Sequence, residues 1–242
     1  MIYVYGLLNP NERCATNYGS EFKTPVELEG LLSRHPRWND LKEKLEKGCE
    51  YHLEELPEDE RVQDLQERVR RGNHKSAVKH DSFLSDAMKK EVEKGWALIV
   101  LEANALEIPL IEIAPLGVAE HLGISESGTY VPKLRLTHDL SFPGAISAES
   151  INSRIDRERM EPIMFGHCLS RVLHQIIALR KKYPNKKIFI RKEDLKSAYR
   201  RMHLEAKSAV RSAVRVEING EWYVLISPRY PFLTRSSSRE HH

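Results

Sequence analysis

Three features of this 242-residue sequence predict an α+β fold. Apolar residues recur at helical spacing over 81–95 and 166–182, and short apolar runs parted by Pro, Gly and Ser stand between and after them. The third feature is Asn219-Gly220, the strongest short hairpin signal, which separates two alternating segments. Hydrophobic residues make up 40% and charged residues 30%, which suits one large or two small globular domains and argues against disorder throughout.

Residues 1–38 show no clear period. From Asp40 to Leu56 the spacing of Leu41, Leu45 and Cys49 predicts a helix ended by Pro57, and Glu58 to Arg71 resumes with Val62, Leu65 and Val69 before Gly72. Both are mostly polar, so residues 1–80 are expected to form a peripheral N-terminal helical arm with little core of its own. A third helix, from an Asp81 or Ser82 cap to Gly95, places Phe83, Leu84, Ala87, Met88 and Val92 on one side and should pack. Strands are expected in Trp96–Leu101, Ile108–Val118 and Lys133–Leu140, with Arg135 and Asp139 on one face of the last and His138 on the other. The 166–182 helix, with Leu169, Val172, Leu173, Ile176, Ile177 and Leu179 in a stripe, should be a main core helix broken at Tyr183-Pro184-Asn185. Lys187 to Asp194 alternates as a strand ending at an acid, and Leu195, Ala198, Tyr199 and Met202 follow at the spacing of a short helix. Arg211–Glu217 and Glu221–Ile226 form the hairpin. The polar stretch 233–242 is expected to be a disordered tail.

No apolar run approaches the ~20 residues of a membrane span. The start Met1-Ile-Tyr-Val-Tyr5 has neither a basic region nor a cleavage site, and Cys14, Cys49 and Cys168 form neither a disulfide framework nor a C-x-x-C knuckle. An intracellular protein, cytoplasmic or nuclear, with no membrane partner is expected. The formal charge of +3 by itself predicts no polyanionic ligand. Its distribution is uneven: 40–60 holds nine acids against three lysines, whereas 186–215 holds ten Lys or Arg against three acids. Such a run is either a solvated helix surface or a face laid against phosphates.

Asp194, at the expected end of a strand, could offer hard oxygen ligands to Mg²⁺, with Tyr199 five residues on beside it; taken alone, it reads more readily as a helix N-cap. Its neighbours favour the first reading. The run Lys192-Glu-Asp-Leu-Lys-Ser-Ala-Tyr-Arg-Arg-Met-His-Leu204 resembles the first catalytic motif of retroelement (retrotransposon) reverse transcriptases. Arg135-Leu-Thr-His-Asp139-Leu-Ser141 resembles that family's fingers strand, Ser150-Ile-Asn152-Ser-Arg154 the segment after it, and Ala213–Tyr230 its palm hairpin. Together with a fingers-like helix over 81–97, the likeness covers 83–232 in the family's order.

The resemblance implies the fingers and partial palm of a right-hand polymerase over 81–232, built on a mixed sheet. It implies RNA-directed DNA polymerase (nucleotidyltransferase) activity on an RNA or DNA template-primer with dNTP. Asp194 and the Leu195 carbonyl would hold two Mg²⁺, Arg135 would grip the triphosphate, and Tyr199 would exclude a 2′-hydroxyl. Lys192, Lys196, Arg200 and Arg201 would contact nucleic acid. Arg135 could instead pair with Asp139 or a surface acid, and Tyr199 could be a core aromatic. The family's second motif, an aromatic-x-Asp-Asp hairpin, is missing from this sequence, and Leu233 stands where its Gly is expected. A truncated, inactive fragment is therefore expected, because two-metal transfer needs several carboxylates. Other readings of the same chain are a non-catalytic nucleic-acid-binding remnant using 186–215, or an α+β protein-interaction module. Cys168 with His167 and His174 lacks a fourth ligand at zinc spacing, and no nucleophile elbow or phosphate loop is present.

Overall fold

The computed structural model describes residues 23–125, 127–160, 166–191 and 198–230, without the side chains of Ala198 and Tyr199. The chain divides into two units, Met1–Ile155 with Ser197–His242, and Asp156–Lys196.

In the first unit, α1 (Pro25–Leu32) opens with a capping box in which Thr24 N donates to Glu27 Oε2 at 2.8 Å while Glu27 N donates to Thr24 Oγ1 at 3.4 Å. Helix α2 (Trp38–Lys47) ends well before the expected Leu56, because Gly48 takes φ 87° and the chain turns away to form single bridges, Cys49 with Leu204 and Leu53 with Ile155. Helix α3 (Glu58–Arg71) has three acids in its first turn, three arginines in its last, and Gly72 beyond it at φ 72°, all matching the helix dipole. After α4 (Lys75–Lys79) comes α5 (Asp81–Glu93), with Leu84, Met88 and Glu91 buried.

Helix α3 is no peripheral arm. Arg61, Asp64, Leu65 and Arg68, at i, i+3, i+4 and i+7, are its buried stripe, and Leu65 shares a core with Leu98, Ile111, Ile113, Leu204 and Val224. Three of the four stripe residues are charged, so apolar periodicity alone could not reveal the buried face. They serve main-chain groups that secondary structure leaves open. Arg61 Nη1 donates to Ile111 O at 2.9 Å, and Arg68 donates to Ile113 O at 3.1 Å and Phe142 O at 3.2 Å. Asp64 accepts from Ile146 N at 2.7 Å and Ser147 Oγ at 2.5 Å.

Strand β1 (Leu98–Leu101) leads into α6 (Glu102–Ala105); β2 (Leu116–Ile124) and β3 (Tyr130–His138) follow. Beyond the helix α7 (Cys168–Lys182) of the second unit, the 3₁₀ turn Ala198–Arg201 leads to α8 (Ala206–Val210), β4 (Val214–Ile218) and β5 (Glu221–Ile226). The mixed sheet is not found: the described strands make two antiparallel sheets, β1-β5-β4 and β2-β3, and parallel pairing is confined to the bridges Cys49–Leu204 and Ile113–Ala213. The predicted 108–118 strand begins only at Leu116, since Pro109, Leu110 at φ 63° and Pro115 interrupt a ladder. Asn219 (φ 56°) and Gly220 (φ 82°) form the expected two-residue turn, with Ile218 facing Glu221.

Alternation in β4 and β5 gives the three-stranded sheet two apolar faces. Val224 and Ile226 join the core of Leu65 and Ile111, while Val214, Val216, Ile218 and Leu225 join that of Leu84, Met88, Leu116 and Val118. Asn73 joins the two sheets, its Nδ2 donating to Arg215 O at 2.8 Å and its Oδ1 accepting from Leu116 N at 2.9 Å.

In the second unit, α7 (Cys168–Lys182) forms much as predicted but is not a core helix: it carries no buried residue, and Leu169 is 73% exposed. Residues 187–191 form no strand. Both departures have one reason: among its described residues this unit holds no second element to cover a stripe or pair a strand. The remainder of the expected 187–194 strand, and the 233–242 tail, lie outside the described residues. No described helix is long and apolar enough to cross a membrane.

Gly144 is held by contact. A Cβ there would lie 2.0 Å from Asp64 Oδ2 and 2.5 Å from its Cγ. Gly144→Ala is expected to push Asp64 off the 146–147 turn and lower unfolding free energy by about 1–3 kcal/mol in urea titration, the cost of a buried acceptor losing its donors.

Candidate nucleotide and nucleic-acid interface

The β2-β3 hairpin has two unlike faces. Leu116, Val118, Leu134, Leu136 and His138 turn inward, the apolar ones into the core of α5. On the outer face the register sets Gly117 against Thr137, Ala119 against Arg135 and His121 against Lys133. The small Ala119 thus stands beside Arg135, and both Lys133 and Arg135 are exposed. The free edge of β2 is covered: Leu116 N and Val118 N donate to Asn73 Oδ1 and Ser76 Oγ, and His74 N donates to Leu116 O at 3.0 Å. Asp139 lies just past β3 and pairs with His74 at 3.0 Å. It is therefore held by His74, while Arg135 stays on the strand.

The 3₁₀ turn that carries Tyr199 is pinned from beneath. Arg200, 4% exposed, forms an ion pair with Glu91 of α5 and donates to Ser227 Oγ at 2.9 Å and Tyr230 O at 2.8 Å. Its own carbonyl accepts from Arg229 at 3.0 Å, and both guanidiniums lie over the Trp96 ring, at 5.8 and 5.2 Å from its centroid. Arg200 and Glu91 share a cavity of about 30 Å³ with Leu136 and His138 of β3, Ser212 and Ser227. The turn and the strand meet around one buried clamp.

Arg200 is thus not a nucleic-acid contact. It is an internal anchor, since a guanidinium only 4% exposed and bonded to a buried carboxylate and two further oxygens is out of reach of a phosphate outside. Much of the C-terminal basic run is spent in the same way. Arg211 and Lys207 both pair with Glu55, and Arg215 pairs with Glu102. The acidic 40–60 run supplies Glu55, so the charge asymmetry of the sequence closes partly on itself. Arg201 is exposed; Lys192, Asp194, Leu195, Lys196 and the Tyr199 side chain lie outside the described residues.

The described residues hold no group of three or more His, Cys, Asp or Glu fit for a metal ion. Glu91 had a signal in the sequence, standing at i+7 from Leu84 and i+3 from Met88 on the apolar side of a helix. Its arginine partner, 109 positions away, had none.

No protein-family model matches this chain, and no curated protein or solved structure is significantly similar to it. The described residues define an α+β protein with two small antiparallel sheets.

Two outcomes follow from the clamp. Arg200→Gln should destabilise the chain by about 3–5 kcal/mol, because it leaves Glu91 charged and buried, whereas Arg201→Gln should change stability by less than about 1 kcal/mol; thermal unfolding of both variants checks this. Burial beside Arg200 pushes His138 down to about 3 from 6.5. The unfolded chain therefore binds a proton near pH 6.5 that the folded chain refuses until about pH 3, and stability conferred by the neutral ring is complete above pH 6.5 and lost as pH falls through that window. Unfolding free energy of the wild type should fall about 1.4 kcal/mol per pH unit more steeply than that of His138→Gln between pH 6 and 4.

Proposed function

We propose that this chain is the fingers and partial palm of a retroelement reverse-transcriptase-like polymerase, and that its own residues address the binding of template-primer and incoming nucleotide. The observation that carries the reading is the Arg200–Glu91 clamp. It holds the turn bearing Tyr199 against the inward-facing Leu136 and His138 of β3, the strand whose opposite, outer face presents Arg135 and Lys133. A nucleotide site of this kind needs a cation for the triphosphate and an aromatic for the sugar on elements that do not drift relative to one another, since orientation is most of what a polymerase contributes to phosphoryl transfer. The order of a packed helix at 81–93, a cationic hairpin strand ending at His138 and a tight hairpin at 214–226 agrees with the family motifs of the sequence.

Asp194 is the one recognised catalytic carboxylate of this sequence, so the chain alone should bind without extending a primer. The internal pairing of Arg200, Lys207, Arg211 and Arg215 weighs against a nucleic-acid-binding remnant built on 186–215.

Fluorescence anisotropy with a labelled dNTP and an RNA–DNA primer-template decides between these readings. Arg135→Ala should weaken dNTP binding roughly tenfold, the loss of a charge-assisted contact. Tyr199→Ala should narrow the preference for dNTP over rNTP. Duplex affinity should fall as salt rises. Affinities indifferent to Arg135, Tyr199 and salt would sink the polymerase reading and favour a protein-interaction module.

A further inference from the structure

Where α3 ends beside β4, positive charge is left uncompensated. Arg68, Arg71 and Arg215 line one pocket with Asn73, against Ile113, Pro115 and Phe142. Arg215 is paired with Glu102 and stacked on Trp222, 3.4 Å from its ring centroid. Arg68, 7% exposed, donates to main-chain oxygens alone, and its Nε is buried without a hydrogen-bond partner. Arg71 is exposed, its guanidinium over the Phe142 ring at 4.3 Å from the centroid. Among the described residues no carboxylate forms an ion pair with Arg68 or Arg71. Burial pushes the Arg68 guanidinium below its ordinary range, with Glu112 and Asp64 pulling the other way from a distance.

We propose that this pocket binds a terminal phosphate group, one oxygen entering it and the others held at the mouth by Arg71. Of the three guanidiniums only Arg215 has an ion-paired carboxylate, Glu102, while Glu112, Asp64 and Asp139 act on Arg68 from further off; two guanidiniums thus lack a direct counter-ion, which suits the roughly −1.5 to −2 that a phosphate monoester carries at neutral pH. The cavity, about 10 Å³, admits a single oxygen-sized group, which excludes a ligand that must enter whole. The C-terminal end of α3 opposes an anion here with roughly half an elementary charge, less than the surplus of the guanidiniums. Guanidiniums fixed by stacking or by main-chain oxygens give up little side-chain freedom on binding, and they form the short charge-assisted bonds that phosphate oxygens accept. The site stands whether or not the chain is a polymerase fragment. Its phosphate could be a free ion or the 5′ end of a nucleic-acid strand.

Titration of the chain with inorganic phosphate, at constant ionic strength with chloride as the balancing anion, tests the site by calorimetry. Saturable one-to-one binding is expected. It should be roughly tenfold weaker in Arg71→Gln, the loss of one charge-assisted contact. Arg70→Gln should bind as the wild type does, since Arg70 pairs with Glu67 at 2.5 Å on the same helix. Arg71→Lys, which keeps the charge but loses the planar fork, should fall between. A second arm compares 5′-phosphorylated with 5′-hydroxyl RNA of one sequence. A preference for the phosphorylated strand that disappears in Arg71→Gln assigns the strand end; no preference, with inorganic phosphate still bound, assigns the free ion. Absence of saturable phosphate binding, or equal binding by wild type and Arg71→Gln, overturns the proposal.

Discussion

Burying a guanidinium costs several kcal/mol unless its donors are met, and this protein does so repeatedly. Arg61, Arg68, Arg154, Arg200, Arg211 and Arg229 are each 7% exposed or less. Their partners come from far along the chain. Arg154 reaches Glu112 and the Glu54 carbonyl, Arg211 reaches Glu55, and Arg61 and Arg68 reach carbonyls of the 111–113 segment. That segment is buried yet outside regular strands, so its carbonyls need donors that no ladder provides. The arginines are those donors, and together with Leu65 and Val69 they hold α3 against the core.

This arrangement changes what the charges of the chain can do. A guanidinium met by a buried acid and main-chain oxygens is lost to a polyanion, however basic its neighbourhood looks in one dimension. Cations left for external work are those on elements that face solvent, above all Lys133 and Arg135 on the outer face of the hairpin and Arg71 at the end of α3. The inner face of that hairpin and the clamp around Arg200 share a cavity with His138. A hairpin held by its base and covered along one edge by residues 73–76 can present its outer face without bending away.

Local signals carried much of the secondary structure. Asn219-Gly220 produced its turn because both residues accept positive φ at little cost, and the strands beside it alternate to match. The 58–71 helix was bounded by Pro57 and Gly72, and the 81–93 helix by its apolar spacing. The capping box Thr24-x-x-Glu27, with Pro25 after the cap, is equally legible in the sequence. Gly48 marked the end of α2, although the Leu41, Leu45 and Cys49 spacing ran past it.

The sequence by itself determined where the backbone could turn, cap and alternate, because those preferences act within about four residues. Only the tertiary structure decided which charges are inside. The stripe Arg61, Asp64, Leu65, Arg68 reads as solvated until carbonyls from 111–142 arrive to meet it, and Arg200 reads as a surface cation until Glu91 is beneath it. The stripe of α7 reads as core, yet it lies uncovered within its own unit. Burial of charge depends on partners some 30 to 160 positions away along the chain, which no local pattern encodes.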